Sequence, residues 1–372
     1  MSAKIRVAII AASLKYVGGQ SVQADLLLRN WKDDAEVEAK LIPIDPPFPS
    51  ALRWMERIPG LRTLVREPLF LWEVWKGLED ADIAHAFSAS YWSFLIAPAP
   101  ACLVARWRGK KTIIHYHSGE ARDHLRRFAS ARSVLAKVDA VVVPSDYLVD
   151  VFREFDLKAE AIANVIDLEQ FVFRERTPLR PHLVCTRGFH TYYCIDVVVR
   201  AFAAVRQAYP DAQLDLVGKG ELEGEIRQLV QQLQLESSVN FAGVATRQEI
   251  GGWYDRADIF INASRLDNMP VSVMEAFAAG TPVATTSPEC MPYLVEHERT
   301  GLLSPVGDPD ALAANVIRLL REPELAARLA RNALLASQEY RWQDVRKRWL
   351  AVYGRLQGGR AGGAGAKAAP HI

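Results

Sequence analysis

Two carboxylates, Asp267 and Glu275, stand eight positions apart within residues 264–283, SRLDNMPVSVMEAFAAGTPV. The apolar run 257–261 before them reads as a buried strand. After it, Val271, Met274, Phe277 and Ala278 recur at helical spacing. Pro270 suits a first helical turn, and Gly280 followed by Pro282 stops the helix. Asp267 therefore falls in a polar loop between strand and helix, and Glu275 inside the helix. Between them the amides of Val271, Ser272 and Val273 are expected to point out of the helix N-terminus, where an anion is stabilised. A carboxylate about one turn further in accepts hydrogen bonds from sugar hydroxyls. Phosphate and ribose held in one place make a nucleotide.

Other residues with chemical potential are more isolated. Residues 111–117, KTIIHYH, read as a strand that delivers His117 at its carboxyl end, and ligands of open α/β sheets sit off such ends. Alternation leaves His115 within the strand; a lone histidine in the place of His117 reads equally well as structural. Gly18 and Gly19, between a first strand and a first helix, let a ligand approach the backbone, though a plain tight turn explains them as well. Asp80-Ala81-Asp82 and Asp308-Pro309-Asp310 spell the DxD carboxylate pair of many metal-dependent sugar transferases. The first sits where a helix ends and a strand opens, and the second reads as a helix N-cap. No metal is expected. Cys102, Cys185, Cys194 and Cys290 form no CxxC pair and read as buried thiols of a reducing compartment.

The elements that must position these groups alternate twice. Strands over 4–12, 38–44, 82–87, 111–117 and 139–144 make a first α/β half. A charged, proline-containing linker over 174–181 follows. Strands over 182–186, 213–217, 239–241, 257–261 and 283–285 make a second half. Two such halves frame a cleft, a natural place for a ligand. Residues 50–78 carry Trp54, Trp72 and Trp75 among five cationic side chains. They read either as helices packed on a sheet or as an interfacial membrane contact, with Glu56, Glu67, Glu73 and Glu79 diluting the positive face. The glycine-rich residues 358–372 read as a disordered tail.

Composition excludes several classes. The chain has 372 residues, half of them hydrophobic, enough for two full cores. A net charge of +1 argues against nucleic acid as the main partner. No run approaches the roughly 20 apolar residues that span a bilayer, and the first apolar run is too short for a signal segment. The expected location is cytoplasmic, with membrane association through 50–78.

Taken together, the motifs resemble the GT-B retaining glycosyltransferases of family 4 over nearly the whole chain, most strongly over 182–320. The run from Asp267 to Val283, with Gly218-Lys219-Gly220, Ala242-Gly243 and Gly301-Leu302-Leu303, is similar to that family's donor-site signature in order and spacing. The resemblance implies an α/β fold of two Rossmann-like domains facing a central cleft. It places the acceptor on residues 1–173 with a crossover helix 341–357, and the nucleotide sugar on 174–340. It implies that Glu275 binds ribose hydroxyls and that Asp267 lies near the donor sugar. Asn268, Met269, Pro270, Val271 and Ser272 would offer amides to sugar and phosphates, and Gly218 and Lys219 would line the same strand end. Arg187 would neutralise the departing diphosphate, His117 would lie close to the donor sugar, and Gly18 and Gly19 beneath the reacting centre. The activity implied is metal-independent transfer from a UDP- or GDP-sugar, or another nucleotide sugar, to a hydroxyl of a glycan or lipid-linked acceptor.

One position departs from the pattern. Such proteins place a lysine about five residues after the arginine, and here tyrosine stands there, Tyr192 or Tyr193. A phenol brings no positive charge, so Lys219 or His190 would have to serve as the second cation. The departure keeps open a catalytically weak or inactive relative that binds nucleotide sugar as a scaffold. A nucleotide-sugar 2-epimerase shares the architecture, but the paired acids speak against it. Nothing marks the pyridoxal-binding lysine of a phosphorylase-like enzyme.

Overall fold

The computed structural model describes residues 4–13, 19–58 and 60–358. The chain divides into two compact units, one of Met1–Val165 with Trp342–Ile372 and one of Ile166–Arg341.

In the first unit six strands, β1 (Ile5–Ala11), β2 (Val37–Pro43), β3 (Ile83–Ser88), β4 (Lys111–Tyr116), β5 (Ala140–Val143) and β6 (Glu160–Ala161), form a parallel sheet in the order β2-β1-β3-β4-β5-β6. Every residue of β3 is buried, as a parallel strand covered on both faces requires. The helix Trp342–Gly358 belongs to this unit. Its Val345, Trp349, Val352, Tyr353 and Leu356, at helical spacing, are buried in one cluster with Ile9, Trp31 and Ile83.

The second unit repeats the plan with β7 (His182–Cys185), β8 (Gln213–Val217), β9 (Val239–Gly243), β10 (Ile259–Asn262), β11 (Val283–Thr286) and β12 (Leu302–Ser304). All pairs are parallel, in the order β12-β11-β10-β7-β8-β9. The strand order reverses between β7 and β10, and in the first unit between β1 and β3. At such a switch point the loops leaving the two strands diverge and open a crevice at their carboxyl ends. Arg187 follows β7, and the loop with Asp267 follows β10.

Two sequence expectations need correction. The division between units falls before residue 166 rather than 174, because 166–173 is tied to the second unit: the Ile166 N–H donates to the Tyr340 carbonyl at 3.3 Å, and Arg247 pairs with Asp167. Residues 174–181 are not a free linker. Arg176 is buried, its guanidinium donating to the carbonyls of Tyr254, Ala257, Ala279 and Gly280 at 2.8–2.9 Å. Residues 91–107, which the sequence reading left unassigned, fold as the helices Tyr91–Ile96 and Pro98–Trp107, with proline in the first turn of the second, where its missing N–H costs nothing. The DxD aspartates have structural partners. Asp80 pairs with Lys40 and Asp82 with Arg6, and Asp308 caps its helix by accepting from the Ala311 N–H at 2.9 Å. Among the described residues no helix is long and apolar enough to cross a membrane.

Candidate active site

The helix Val271–Ala279 starts without a side-chain cap. The Val273 N–H turns back to the Pro270 carbonyl at 3.1 Å, so the expectation of three open amides reduces to two, Val271 and Ser272. A buried polar ladder at the ends of β10 and β11 fixes the loop in front of it. Asn262 donates to the Thr285 hydroxyl at 2.9 Å, Ser264 to Asn262 Oδ1 at 2.9 Å, and Thr286 to the Ser264 carbonyl at 2.7 Å. Further along, the Asp267 carboxylate accepts from the Asn268 N–H at 2.9 Å, and Asn268 Oδ1 from the Met269 N–H. At the far end of the helix Gly280 adopts φ +67°, and a Cβ there would meet the Phe173 ring at 2.5 Å. Both facts require glycine.

Arg187 reaches this helix start from β7. It is 9% exposed, donates from Nη1 to Ser272 Oγ at 3.1 Å, pairs through Nη2 with Asp267, and lies over the Tyr193 ring at 3.8 Å. Burial opposes its charge, but Asp267 and the neighbouring acidic groups outweigh burial and hold its pKa above the ordinary value. Its Nε is buried with no hydrogen-bond partner among the described residues. A buried donor of a charged group left unpaired calls for an acceptor.

Glu275 lies one turn into the same helix. Burial pushes its pKa up to about 7, against the opposing pull of a hydrogen bond from Tyr254 and the charge of Arg187. Tyr254 was not legible as a site residue. Its hydroxyl is within 2.9 Å of Glu275 Oε2, 2.8 Å of the Ser272 carbonyl and 2.6 Å of Thr186 Oγ1. One buried hydroxyl thus links the end of β7, the helix start and the carboxyl group. Tyr254 rides on the helix Arg247–Arg256, started by a Thr246–Glu249 capping box. Only that capping pattern shows in the sequence; no motif marks the tyrosine.

The expected second cation is resolved into its candidates. Tyr193 holds the Arg187 guanidinium on its ring face, and the Tyr192 carbonyl accepts from the Arg265 N–H at 2.9 Å, tying the turn after β7 to the loop after β10. His190 is engaged by Glu221. Lys219 is exposed and has no ion pair among the described residues. Its carbonyl accepts from the Phe189 N–H at 3.0 Å, beside Arg187, and Gly218 packs so closely there that a Cβ would lie 2.1 Å from the Arg187 carbonyl oxygen. Arg187, Asp267, Asn268, Met269, Pro270, Val271, Ser272, Glu275, Gly218 and Lys219 therefore share one strand-end region of the second unit.

His117 and Gly19 belong to the first unit. The His117 N–H donates to the Ser88 carbonyl at 3.0 Å, next to the β1–β3 switch point, and its ring stacks on Phe87. Behind it the His115 ring centroid lies at 4.1 Å. His115 Nδ1 is 3.2 Å from His85 Nε2, and His85 Nδ1 is 2.9 Å from the Tyr353 hydroxyl. Burial drives the pKa of His85 and His117 down to about 3 and that of His115 well below its ordinary value, so all three are neutral at physiological pH. Gly19 opens the helix Gly19–Trp31, and a Cβ there would meet nothing within 4 Å. Gly18 lies outside the described residues. Among the described residues no cluster of three metal-binding side chains occurs.

HepE from Anabaena, solved in complex with UDP, superposes with a TM-score of 0.74 over 94% of this chain and 100% of that one, at 16% identity, a likeness of fold. Two parallel six-stranded sheets with that likeness define a GT-B protein, two Rossmann-like α/β units in one chain. Residues 179–335 match the family Glycosyl transferases group 1, and residues 17–170 match Glycosyltransferase Family 4. The chain belongs to the group 1 glycosyltransferases of family 4. Among curated relatives, an uncharacterised glycosyltransferase of Haemophilus influenzae is 27% identical over 46% of this chain. The amylovoran biosynthesis glycosyltransferase AmsK of Erwinia amylovora is 33% identical over 34% of this chain. The matched stretches span 46% and 32% of those two relatives' own lengths.

Proposed function

We propose that the protein transfers a sugar from a nucleotide-sugar donor to a hydroxyl of a glycan or lipid-linked acceptor, with retention of configuration and without a metal. One observation carries the reading. At the β7/β10 switch point, a buried Arg187, its Nε unpaired among the described residues, donates to Ser272 at a helix start with two open amides, and the Glu275 carboxyl lies one turn further along the same helix. That spacing suits a diphosphate and a ribose of the same nucleotide.

In this reading the ribose hydroxyls donate to Glu275, held in place by Tyr254. The diphosphate lies against the Val271 and Ser272 amides and Arg187. As the C1–O bond to the diphosphate breaks, charge grows on the leaving oxygen, where these donors are already oriented. The acceptor oxygen bonds to C1 from the face the diphosphate leaves, and its proton passes to the departing diphosphate oxygen, so no side-chain base is needed. Asp267 lies near the donor sugar. Lys219 is the second cation: it is exposed, lacks an ion pair among the described residues and belongs to the same strand end. Tyr193 braces Arg187 instead of replacing a lysine. The relatives support the substrate classes, since HepE was solved with UDP and AmsK is named for amylovoran biosynthesis. A binding or scaffold role is the second reading, favoured by Arg187 being closed on Asp267.

The test is donor binding and slow donor hydrolysis across UDP-, GDP- and ADP-sugars, with a chelator present, for wild type, Glu275→Ala and Arg187→Ala. Hydrolysis of one donor that survives chelation and falls about a hundredfold in Arg187→Ala is the expected result. Full turnover in Arg187→Ala overturns the mechanism; donor binding without any turnover, acceptor extracts included, favours the scaffold role.

A further inference from the structure

The outward side of the first unit breaks the rule that surface helices turn polar residues to solvent. On the helix Leu61–Gly77, Leu64, Pro68, Trp72 and Trp75 are exposed at helical spacing, so its solvent stripe is apolar. The helix Pro98–Trp107, packed against it, exposes Leu103 and Trp107 one turn apart. Ser50–Arg57 and Tyr91–Ile96 adjoin these two helices and expose Trp54 and Trp92. Five of the nine tryptophans are thus turned outward on four adjoining helical segments, Trp72 at 62% and Trp107 at 77% exposure. Isolated exposed apolar residues need no explanation, whereas a contiguous set does.

The charges around the patch say what covers it. Arg53, Arg57, Arg62 and Lys76 are exposed and have no ion pair among the described residues. The Arg108 guanidinium lies over the Trp75 ring at 4.6 Å, tying the two long helices together with its charge at the surface. Several nearby acids are engaged by cations of the protein itself: Glu56 pairs with Arg66, Asp80 with Lys40 and Asp82 with Arg6. Glu67 is half-buried, its pKa raised by burial, which leaves Glu73 and Glu79 as exposed carboxylates with no ion pair among the described residues. Indole rings among arginines, at the edge of an apolar stripe and over a positive rim, match the headgroup layer of an anionic membrane. Indoles lie there at the boundary between acyl chains and water, while each nearby cation gains about 1 kcal/mol from anionic lipid.

We propose that this face, formed by residues 50–77 and 91–108, docks the protein on an anionic phospholipid bilayer, so that the acceptor is taken from the membrane surface. The acceptor clause rests on the transfer reading above; the docking does not, because lipid binding is read without donor or acceptor. The experiment is co-sedimentation of the full chain with vesicles of phosphatidylglycerol and phosphatidylcholine in equal parts, against phosphatidylcholine alone, with tryptophan emission followed in parallel. Binding to the anionic vesicles, weakened by salt and accompanied by a blue shift, is the expected result. Trp72→Ser/Trp107→Ser and, separately, Arg53→Glu/Lys76→Glu should each lower partitioning at least about tenfold with unchanged thermal unfolding. Protein that stays in the supernatant at low salt overturns the proposal. So does a stable dimer in size exclusion that the tryptophan substitutions dissolve, since a second copy then covers the face.

Discussion

At the scale of single residues, Asp267 and a diphosphate compete for the same guanidinium. Asp267→Asn removes that competitor, so nucleoside diphosphate should bind several-fold tighter while turnover falls about tenfold or more, a split that calorimetry and initial rates separate. Glu275 carries a linked pH dependence. Its folded pKa of about 7 lies above the ordinary 4.5, so the stability it contributes is present below the lower value and is lost as pH rises through the upper one. Binding runs the other way, because ribose hydroxyls donate best to the ionised carboxylate; nucleotide affinity should rise as pH passes through 7. Glu275→Gln should therefore stabilise the ligand-free protein by about 3 kcal/mol near pH 8 and by almost nothing near pH 4, while losing nucleotide affinity near pH 8, where the wild-type carboxylate is ionised. Tyr254→Phe withdraws a donor from the carboxylate, and the midpoint of affinity against pH should move upward. Asp267 and Glu275 were legible because spacing in the chain fixes them relative to one helix start, and Arg187 only through the family resemblance. Tyr254 was not, since its partners are 18, 21 and 68 positions away and only packing joins them.

At the scale of elements, the strands were the most legible feature. Runs such as β3 and β10 are buried on both faces and read as largely apolar. Strand order was not legible, so the crevice between β7 and β10 had no sequence signal. The segment with Arg176 misled because charge and proline look alike in a linker and in a buried tie. Arg176 gathers the carbonyl ends of the helices Arg247–Arg256 and Val271–Ala279, the two that carry Tyr254 and Glu275. Arg176→Met strands those carbonyls and should cost the second unit about 3 kcal/mol in denaturant unfolding, with loss of the hydrogen-exchange protection of both helices. Gly218→Ala is a different failure. Its Cβ must push the Arg187 carbonyl aside, so nucleotide binding should collapse while unfolding shifts by only about 1–3 kcal/mol.

At the scale of the molecule, the two units carry titrating groups of opposite sense. In the first unit His85, His115 and His117 have depressed pKa values, so the stability they contribute is present above the ordinary 6.5 and is lost as pH falls below it, toward about 3 for His85 and His117. Near pH 5 His85 and His117 each oppose folding of that unit by about 2 kcal/mol, whereas acid relieves Glu275 in the second. Hydrogen exchange near pH 5 should show protection falling in the first unit before the second, and simultaneous loss in both would count against the histidine cluster as the cause. The net charge of +1 leaves no overall field to draw in an anionic donor, so attraction must be local. A nine-residue helix is a short dipole, about 13 Å from positive to negative pole. Arg176 sits on its negative pole, hydrogen-bonded to Ala279 and Gly280. Cancelling that pole leaves the positive end at Val271 and Ser272 unopposed. The arginine that fastens the helix thus also raises the potential at its far end, and the protein reaches toward phosphate with a charge that phosphate never touches.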